Sequence, residues 1–303
     1  NGESIGSVTL ASLGAANTAN VSGSPYAITA SNAAGGTFDA NNYAISYIDG
    51  ALTVDPAALA ITANNATKTY GQTLNFAGTE FSALGLQNGE SIGSVTLASL
   101  GAINTANVAG SPYAITASNA TGGTFNAGNY LISYTDGALT VDPAALAITA
   151  NSFSKTYGQT VNFAGTEFTS LGLQNGETIG SVALASLGAA PTANVAGSPY
   201  AITASNASGG TFNAGNYLIS YTNGALTVDP ATLAITANSF SKTYGQTVNF
   251  AGTEFSAPGL QNGETIGSVT LASLGAVNTA NVSGSPYVIT ASNATGGTFN
   301  PGN

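Results

Sequence analysis

Few side chains of this chain could carry out acid–base or nucleophilic chemistry. Histidine and cysteine are both absent, so a Ser–His–Asp triad or a thiol nucleophile cannot form within these residues. A serine–lysine pair remains open, with Lys68, Lys155 and Lys242 as the three cations. Each lysine, however, stands two residues before a Tyr-Gly pair, and a segment of this composition is typical of a turn. The sequence therefore predicts that the chain is not an enzyme and has no catalytic residues.

The three lysines allow two interpretations. In the first, each is a solvated cation near Glu80, Glu167 or Glu254 and makes at most a weak surface ion pair. In the second, each lysine forms an internal isopeptide bond with an asparagine, which requires a buried lysine beside a carboxylate. The surface interpretation is the favoured one.

The acidic residues are too dispersed to predict a metal site. Calcium takes about six to eight oxygen ligands, mostly from clustered carboxylates. Asp136, Asp142, Glu167 and Glu177 each stand alone, and no Asp-x-Asp-x-Asp-Gly loop occurs. We therefore expect no metal ion and no cofactor, and calcium between repeats near Asp142 is the alternative left open.

Tyrosine is the remaining side chain that could bind a ligand, by stacking on sugar rings. Tyr130, Ile132 and Tyr134 alternate along the chain, which places them on one face of a strand and predicts core packing. Tyr70 and Tyr157 lie beside glycine and are expected to be more exposed.

The composition excludes several classes of function. The chain carries a net charge of −10 with three lysines, so it has almost nothing to neutralise the phosphates of a nucleic acid or of anionic lipid. It contains no run of about eighteen apolar residues, and we expect no membrane insertion. Because 43% of the residues are hydrophobic, the chain should nonetheless fold.

These residues recur with a fixed period. Asn-Gly-Glu begins at Asn1, Asn88, Asn175 and Asn262, so the sequence repeats every 87 residues. This period is about twice that of most solenoid repeats and predicts small domains in tandem. The chain opens within a repeat and without methionine, and we expect it to be a piece of a longer protein.

Asp-Pro pairs predict the module boundaries, because proline ends a strand's hydrogen-bond ladder. Residues 57–143 and 144–230 are then complete modules. Residues 1–56 are a partial module with the C-terminal part only, and residues 231–303 are a partial module that lacks the last hairpin.

Within a module, hydrophobic residues alternate and turn residues separate the runs. The pattern predicts a mostly β module, either β-grasp-like or immunoglobulin-like. Asp136-Gly137 is predicted to form the tight turn of a β-hairpin. At most one short helical turn is expected per module, over Glu80–Gly85, and Pro258 limits its length in the last copy.

Three motifs, in order, carry a family resemblance: Lys-Thr-Tyr-Gly at 68–71, Ser-Pro-Tyr-Ala-Ile at 111–115 and Asn-Tyr-Leu-Ile-Ser-Tyr-Thr-Asp-Gly-Ala-Leu-Thr-Val at 129–141. They resemble the MBG/YDG-type repeats of large bacterial surface proteins, such as filamentous-haemagglutinin-like adhesins. The resemblance implies a secreted or surface-anchored array of mostly β modules outside a bacterial cell. It supplies no catalytic residues.

Three functions are compatible with such an array. In the first, the modules form the stalk of a giant adhesin, giving reach and attachment to a cell surface or biofilm, with neighbouring modules of the same chain as partners. In the second, identical chains associate into an extracellular filament, because a weakly charged surface offers little repulsion and open strand edges can pair. In the third, each module binds a glycan and the array gains affinity through multivalency.

Overall fold

The computed structural model describes residues 2–303. These residues form two compact units that divide between Ala144 and Ala145. Each unit holds one of the modules predicted to be complete and one predicted to be partial. The elements are strands and three-residue 3-10 turns, so the expectation of a mostly β array of tandem modules is confirmed.

The strands of the first unit begin with three in the partial module: β1 Ile5–Ala11, β2 Tyr26–Gly36 and β3 Gly50–Leu52. Seven more follow: β4 Ala57–Ala63, β5 Ala66–Thr69, β6 Phe81–Leu84, β7 Ile92–Ala98, β8 Tyr113–Gly123, β9 Tyr130–Thr135 and β10 Gly137–Asp142. The seven strands form one sheet of order β6-β4-β9 and another of order β5-β10-β8-β7. The module is therefore a sandwich of two sheets. It shares the two layers of the immunoglobulin-like alternative but not its antiparallel sheets, because β4–β9 and β5–β10 are parallel pairs.

The second unit repeats this arrangement. Its strands are β11 Ala144–Ala150, β12 Phe153–Thr156, β13 Phe168–Leu171, β14 Ile179–Ala185, β15 Tyr200–Gly210, β16 Tyr217–Thr222, β17 Gly224–Asp229, β18 Thr236–Ala237, β19 Phe255–Ser256, β20 Ile266–Ala272 and β21 Thr290–Gly297. Strands β11 to β17 form sheets of order β13-β11-β16 and β12-β17-β15-β14, which is the order found in the first unit.

The first and last strands of a module run side by side in parallel. In one sheet β4 pairs with β9, from Ala57 beside Tyr130 to Thr62 beside Thr135. In the other sheet β5 pairs with β10, from Ala66 beside Leu139 to Thr69 beside Asp142. Paired residues are 73 positions apart in both sheets. The same separation holds for the hydrogen bond from the Ala138 N–H to the Asn65 side chain, which lies between the two paired segments. Residues 57–69 and 130–142 therefore form one parallel double strand that passes from the first sheet into the second.

The predicted hairpin at Asp136-Gly137 is wrong, and with it the description of residues 231–303 as lacking a last hairpin. The strands on either side of Asp136 belong to different sheets, since β9 pairs with β4 while β10 pairs with β5 and β8. Neither residue has a positive φ, which a type I′ turn would require. Glycine is needed at 137 because a Cβ there would lie 2.6 Å from the carbonyl oxygen of Ala63. The motif therefore marks where the chain changes sheets.

Substitution of Gly137 tests this close approach. We expect Gly137→Ala to destabilise the protein by about 1–3 kcal/mol, because the added methyl would push residue 137 away from the backbone of Ala63. Gly128→Ala is the matched control, since its Cβ would meet nothing closer than the Asn126 side chain at 3.4 Å. Urea denaturation followed by circular dichroism measures both. Equal unfolding midpoints for the two variants would contradict the role of Gly137.

Alternation along the strands places the core between the two sheets, as predicted. Leu59 and Ile61 of β4 face Ile115 of β8 and Leu139 of β10, and all four are fully buried. Tyr130 is buried and Ile132 packs against the same cluster, which agrees with the predicted core face of β9. Tyr134 is more exposed and accepts a hydrogen bond from the backbone N–H of Ala120 instead.

The helical turn expected at Glu80–Gly85 is a strand. Phe81 and Ala83 turn toward the core while Ser82 and Leu84 face outward, and β6 pairs with β4 from Ala63 beside Phe81 to Ala60 beside Leu84. Tertiary pairing with β4 decides this segment, because a run this short has little helical preference of its own. The 3-10 turns lie in the connections instead: Leu13–Ala15, Val21–Gly23, Ala40–Asn42, Leu100–Ala102, Val108–Gly110, Ala127–Asn129, Leu187–Ala189, Val195–Gly197, Ala214–Asn216 and Val282–Gly284.

Candidate functional site at the module junction

The lysines are structural, and the surface interpretation is wrong for two of them. Lys68 and Lys155 are buried, at 6% and 4% exposure. The Lys68 Nζ donates to the carbonyl oxygens of Gln72, at 2.8 Å, and of Ile103. Burial lowers the pKa of both ammonium groups. The Lys68 Nζ thus donates its hydrogen bonds to backbone oxygens. Within residues 2–303, its partners include neither the glutamate expected for a surface ion pair nor the asparagine expected for an isopeptide bond.

The glutamates that were expected beside the lysines bind the backbone. The Glu80 carboxylate accepts hydrogen bonds from the N–H groups of Ala77, Gly78 and Thr79, at 2.9–3.0 Å. Glu167 and Glu254 do the same in the following repeats. These bonds hold the pKa of all three carboxyls below the ordinary value of 4.5. The glutamate closes the loop before β6, and equivalently before β13 and β19.

These pKa shifts predict a loss of stability in acid. A carboxyl whose pKa is lower in the folded state stabilises the protein above its unfolded pKa, and this contribution disappears as the pH falls through the folded value. We expect the melting temperature to fall as the pH is lowered from about 5 to about 3. The triple variant Glu80→Gln, Glu167→Gln, Glu254→Gln should show a shallower fall. Parallel curves for the variant and the parent would contradict this assignment.

No metal centre is visible among the described residues. Within residues 2–303 the structure brings no three His, Cys, Asp or Glu side chains into one group that could hold a metal ion. Among the same residues, no helix is long and apolar enough to cross a membrane.

The most elaborate polar contacts join successive modules. In the second unit, the chain leaves β17 at Asp229 and enters the next module directly after Pro230. The backbone N–H of Tyr157 donates to the carbonyl oxygen of Asp229 at 2.9 Å, which holds the end of β17. The hydroxyl of Tyr157 donates to the Glu264 carboxylate of the next module at 2.8 Å. Tyr157 therefore bridges the last strand of its own module and the Asn-Gly-Glu motif of the following one.

Gly158, next to this tyrosine, permits a second close contact. Its φ is +88°, and a Cβ on it would lie 2.3 Å from the side-chain oxygen of Gln261. Only glycine combines this backbone conformation with so close a neighbour. The Tyr-Gly pair thus contributes a hydroxyl group to the junction and, at the glycine, a backbone that the Gln261 side chain can approach closely. A Cβ on Gly245, the equivalent glycine of the last copy, would meet no heavy atom within 4 Å.

Asparagines form the opposite side of the same junction. The Asn262 amide donates to the carbonyl oxygen of Pro191 at 3.1 Å. The Asn303 amide nitrogen donates to the side-chain oxygen of Asn194 at 2.8 Å, and its oxygen accepts from the N–H of Val195 at 3.0 Å. These bonds attach the module at residues 231–303 to the connection between β14 and β15 of the preceding module.

The first unit contains the same asparagine bonds. There the Asn88 amide donates to the carbonyl oxygen of Asn17 at 3.1 Å. The Asn129 side chain bonds the side-chain oxygen of Asn20 at 2.8 Å and the N–H of Val21 at 3.0 Å. The asparagine contacts of the two junctions therefore involve equivalent residues, 174 positions apart. The junction is a repeated feature of the array.

Burial of the tyrosines departs from the sequence-based expectation. Tyr70 and Tyr157 were expected to be exposed, yet they are 4% and 6% exposed. Tyr244, the equivalent residue in the last copy, is 63% exposed. Proximity to glycine suggested a solvent-facing turn, whereas Tyr157 is covered in part by residues of the following module. A sequence signal existed in the pairing of Tyr-Gly with Asn-Gly-Glu, but the 107 residues between Tyr157 and Glu264 exceed one repeat.

The glutamate of Asn-Gly-Glu also orders its own module. In the first unit the Tyr130 hydroxyl donates to the Glu90 carboxylate and accepts from the N–H of Gln87 at 2.9 Å. Burial, together with this carboxylate, raises the pKa of Tyr130. The motif is therefore already fixed within one module before it meets a neighbour, and the junction needs little reorganisation to form.

Comparison with known proteins identifies one relationship. The model of the MBG domain (YGX type) family matches residues 59–140 and 146–227. These two ranges cover more than half of the chain, and each lies within one of the modules predicted to be complete. No curated protein matches the chain.

Proposed function

Because the chain belongs to the MBG domain (YGX type) family, we propose that it is a non-enzymatic structural repeat region, the stalk of a giant bacterial surface protein or adhesin. The observation that carries the proposal is the junction found in both units. Modules joined without a linker and held by the same asparagine bonds can build an array whose length increases with copy number. Reach, rather than binding or catalysis, is then the property under selection.

The geometry of one module supports this role. The chain enters at Ala57 and leaves at Asp142, which are the opposite ends of the parallel double strand. Thirteen residues at about 3.3 Å each give a length of roughly 43 Å between entry and exit. A module connected at its two far ends adds its full length to an array. The low charge and the absence of cysteine are compatible with a location outside the cell.

Small-angle X-ray scattering of the chain tests the stalk. We expect a maximum dimension that increases in equal steps of roughly 43 Å as modules are added by duplicating residues 57–143. The same series with Asn88→Gly and Asn129→Ala at the equivalent positions of every copy is the matched control, because glycine tolerates the positive φ of Asn88 while both substitutions remove the junction bonds, which should broaden the distribution of dimensions. Compact particles whose dimension grows little with copy number would refute the stalk.

One further feature favours a second candidate, the self-associating filament. The outer face of sheet β6-β4-β9 carries Leu84 at 79% and Leu131 at 73% exposure, beside the exposed Ala58 and Ala60. This face carries no charge, so like charges would not oppose a second copy there. Sedimentation velocity over a wide concentration range distinguishes the two. A monomer at every concentration would leave only the stalk, and association abolished by Leu84→Ser with Leu131→Ser would favour the filament.

A further inference from the structure

We propose that each module is a force-bearing clamp, in which tension along the chain shears the parallel double strand formed by residues 57–69 and 130–142. The inference rests on the proposed stalk, because a stalk transmits load from one end to the other. It goes beyond that role in assigning a mechanical resistance to particular strands.

Load reaches the module at opposite ends of the double strand. Tension toward the N-terminus pulls on Ala57, where β4 begins, and tension toward the C-terminus pulls on Asp142, where β10 ends. Because the paired strands are parallel, these forces act along the strands and in opposite directions. The load therefore slides one strand past the other and does not peel them apart from one end.

Sliding would disrupt all the pairs of the double strand together. Residues 57–62 are paired with 130–135, and residues 66–69 with 139–142, in one register. A shift of one residue breaks the ladder hydrogen bonds of both segments and moves the buried Leu59 and Leu139 out of the core face. In an unzipping geometry the same pairs would separate one after another, each at a small cost.

Neither loaded strand lies at an edge. Strand β4 is the central strand of its sheet, between β6 and β9, and β10 lies between β5 and β8. Each is therefore bonded on both sides, and neither can be stripped from the rim of a sheet. The same order in the second unit, with β11 between β13 and β16 and β17 between β12 and β15, gives that module the same protection.

The junction directs the load into this double strand. In the second unit, Tyr157 follows β12 directly, holds the end of β17 through the Asp229 carbonyl and bonds Glu264 of the next module. Tension between these modules therefore passes through both strands of the pair, β12 and β17.

Single-molecule pulling in two geometries on one protein tests the clamp. The chain has no cysteine, so two introduced thiols define the points of attachment. Ala58→Cys with Asp142→Cys loads the double strand in shear. Ala58→Cys with Leu131→Cys loads neighbouring residues at the same end and unzips β4 from β9. All three positions are exposed, and the thiols are kept reduced until the handles are coupled.

We expect the unfolding force at equal loading rate to be at least about twofold higher in shear than in unzipping, because forced unfolding is governed by the barrier along the pulled direction. Equal forces in the two geometries would overturn the clamp. The equivalent pairs of the second unit, Ala145→Cys with Asp229→Cys and Ala145→Cys with Leu218→Cys, repeat the measurement if a variant of the first unit folds poorly. Scattering dimensions report on the stalk separately, so a failed clamp and a failed stalk give different results.

Discussion

Replacing Tyr157 with alanine should destabilise the second unit by about 3–5 kcal/mol, as is typical for removal of a buried aromatic side chain. Tyr157 is 6% exposed, packs at the boundary of two modules and donates to the Glu264 carboxylate. Its loss leaves a void between the modules and a carboxylate without its donor. Urea unfolding followed by circular dichroism gives the change in the free energy of unfolding.

Tyr244→Ala is the matched control for this substitution. Tyr244 stands in the same Lys-Thr-Tyr-Gly sequence but is 63% exposed, so its removal should change stability by no more than about 0.5 kcal/mol. Tyr157→Phe removes only the hydroxyl, and a double-mutant cycle with Glu264→Gln isolates the bond between the modules. A coupling energy near zero in that cycle, or equal effects at 157 and 244, would contradict a tyrosine–glutamate bond between the modules.

Substitution of Lys155 with alanine should cost about 3 kcal/mol, because two backbone carbonyls lose a buried donor. Its ammonium group donates to the carbonyl oxygens of Gln159, at 2.8 Å, and of Ala190. It thereby ties the loop after β12 to the connection between β14 and β15. Part of this loss is offset, since a buried charge is no longer desolvated. The midpoint of thermal unfolding provides the measurement.

Two variants separate the possible causes of that loss. Lys155→Met retains most of the side-chain volume but removes the donors and the buried charge, so its cost excludes the loss of packing. Lys242→Ala removes the same bonds, to Gln246 and Val277, from a less buried lysine whose carbonyl partners can turn to water. We expect it to be clearly the mildest of the three. If Lys155→Ala were no more destabilising than Lys242→Ala, the burial of Lys155 would have no energetic role.

Much of the architecture could be predicted from local sequence. The 87-residue period predicted tandem modules, and alternation of Leu59 with Ile61 and of Tyr130 with Ile132 predicted strands and their core faces. The three ordered motifs indicated the family that the comparison identifies. Each of these features can be recognised from neighbouring residues, because side chains alternate along a strand with a period of two and the copies repeat in register.

Pairing between distant segments could not be predicted in the same way. Asp136-Gly137 has the composition of a hairpin turn, yet the strands beside it join different sheets. A helical turn was expected at Glu80–Gly85, yet Phe81–Leu84 is a strand, because β4 offers it a partner. A partner that lies 18 to 73 residues away leaves no trace in the local pattern, and several pairings satisfy the same alternation.

The sequence by itself determined the repeat, the β class, the core faces and the absence of the side chains that common catalytic triads require. Only the tertiary structure decided that Lys68, Lys155, Tyr70 and Tyr157 are buried, and that Tyr157 with Asn-Gly-Glu holds two modules together. The physical reason is the range of the interactions. Backbone geometry fixes the alternation within a few residues, whereas burial of a lysine or a tyrosine depends on which distant strand or neighbouring module covers it.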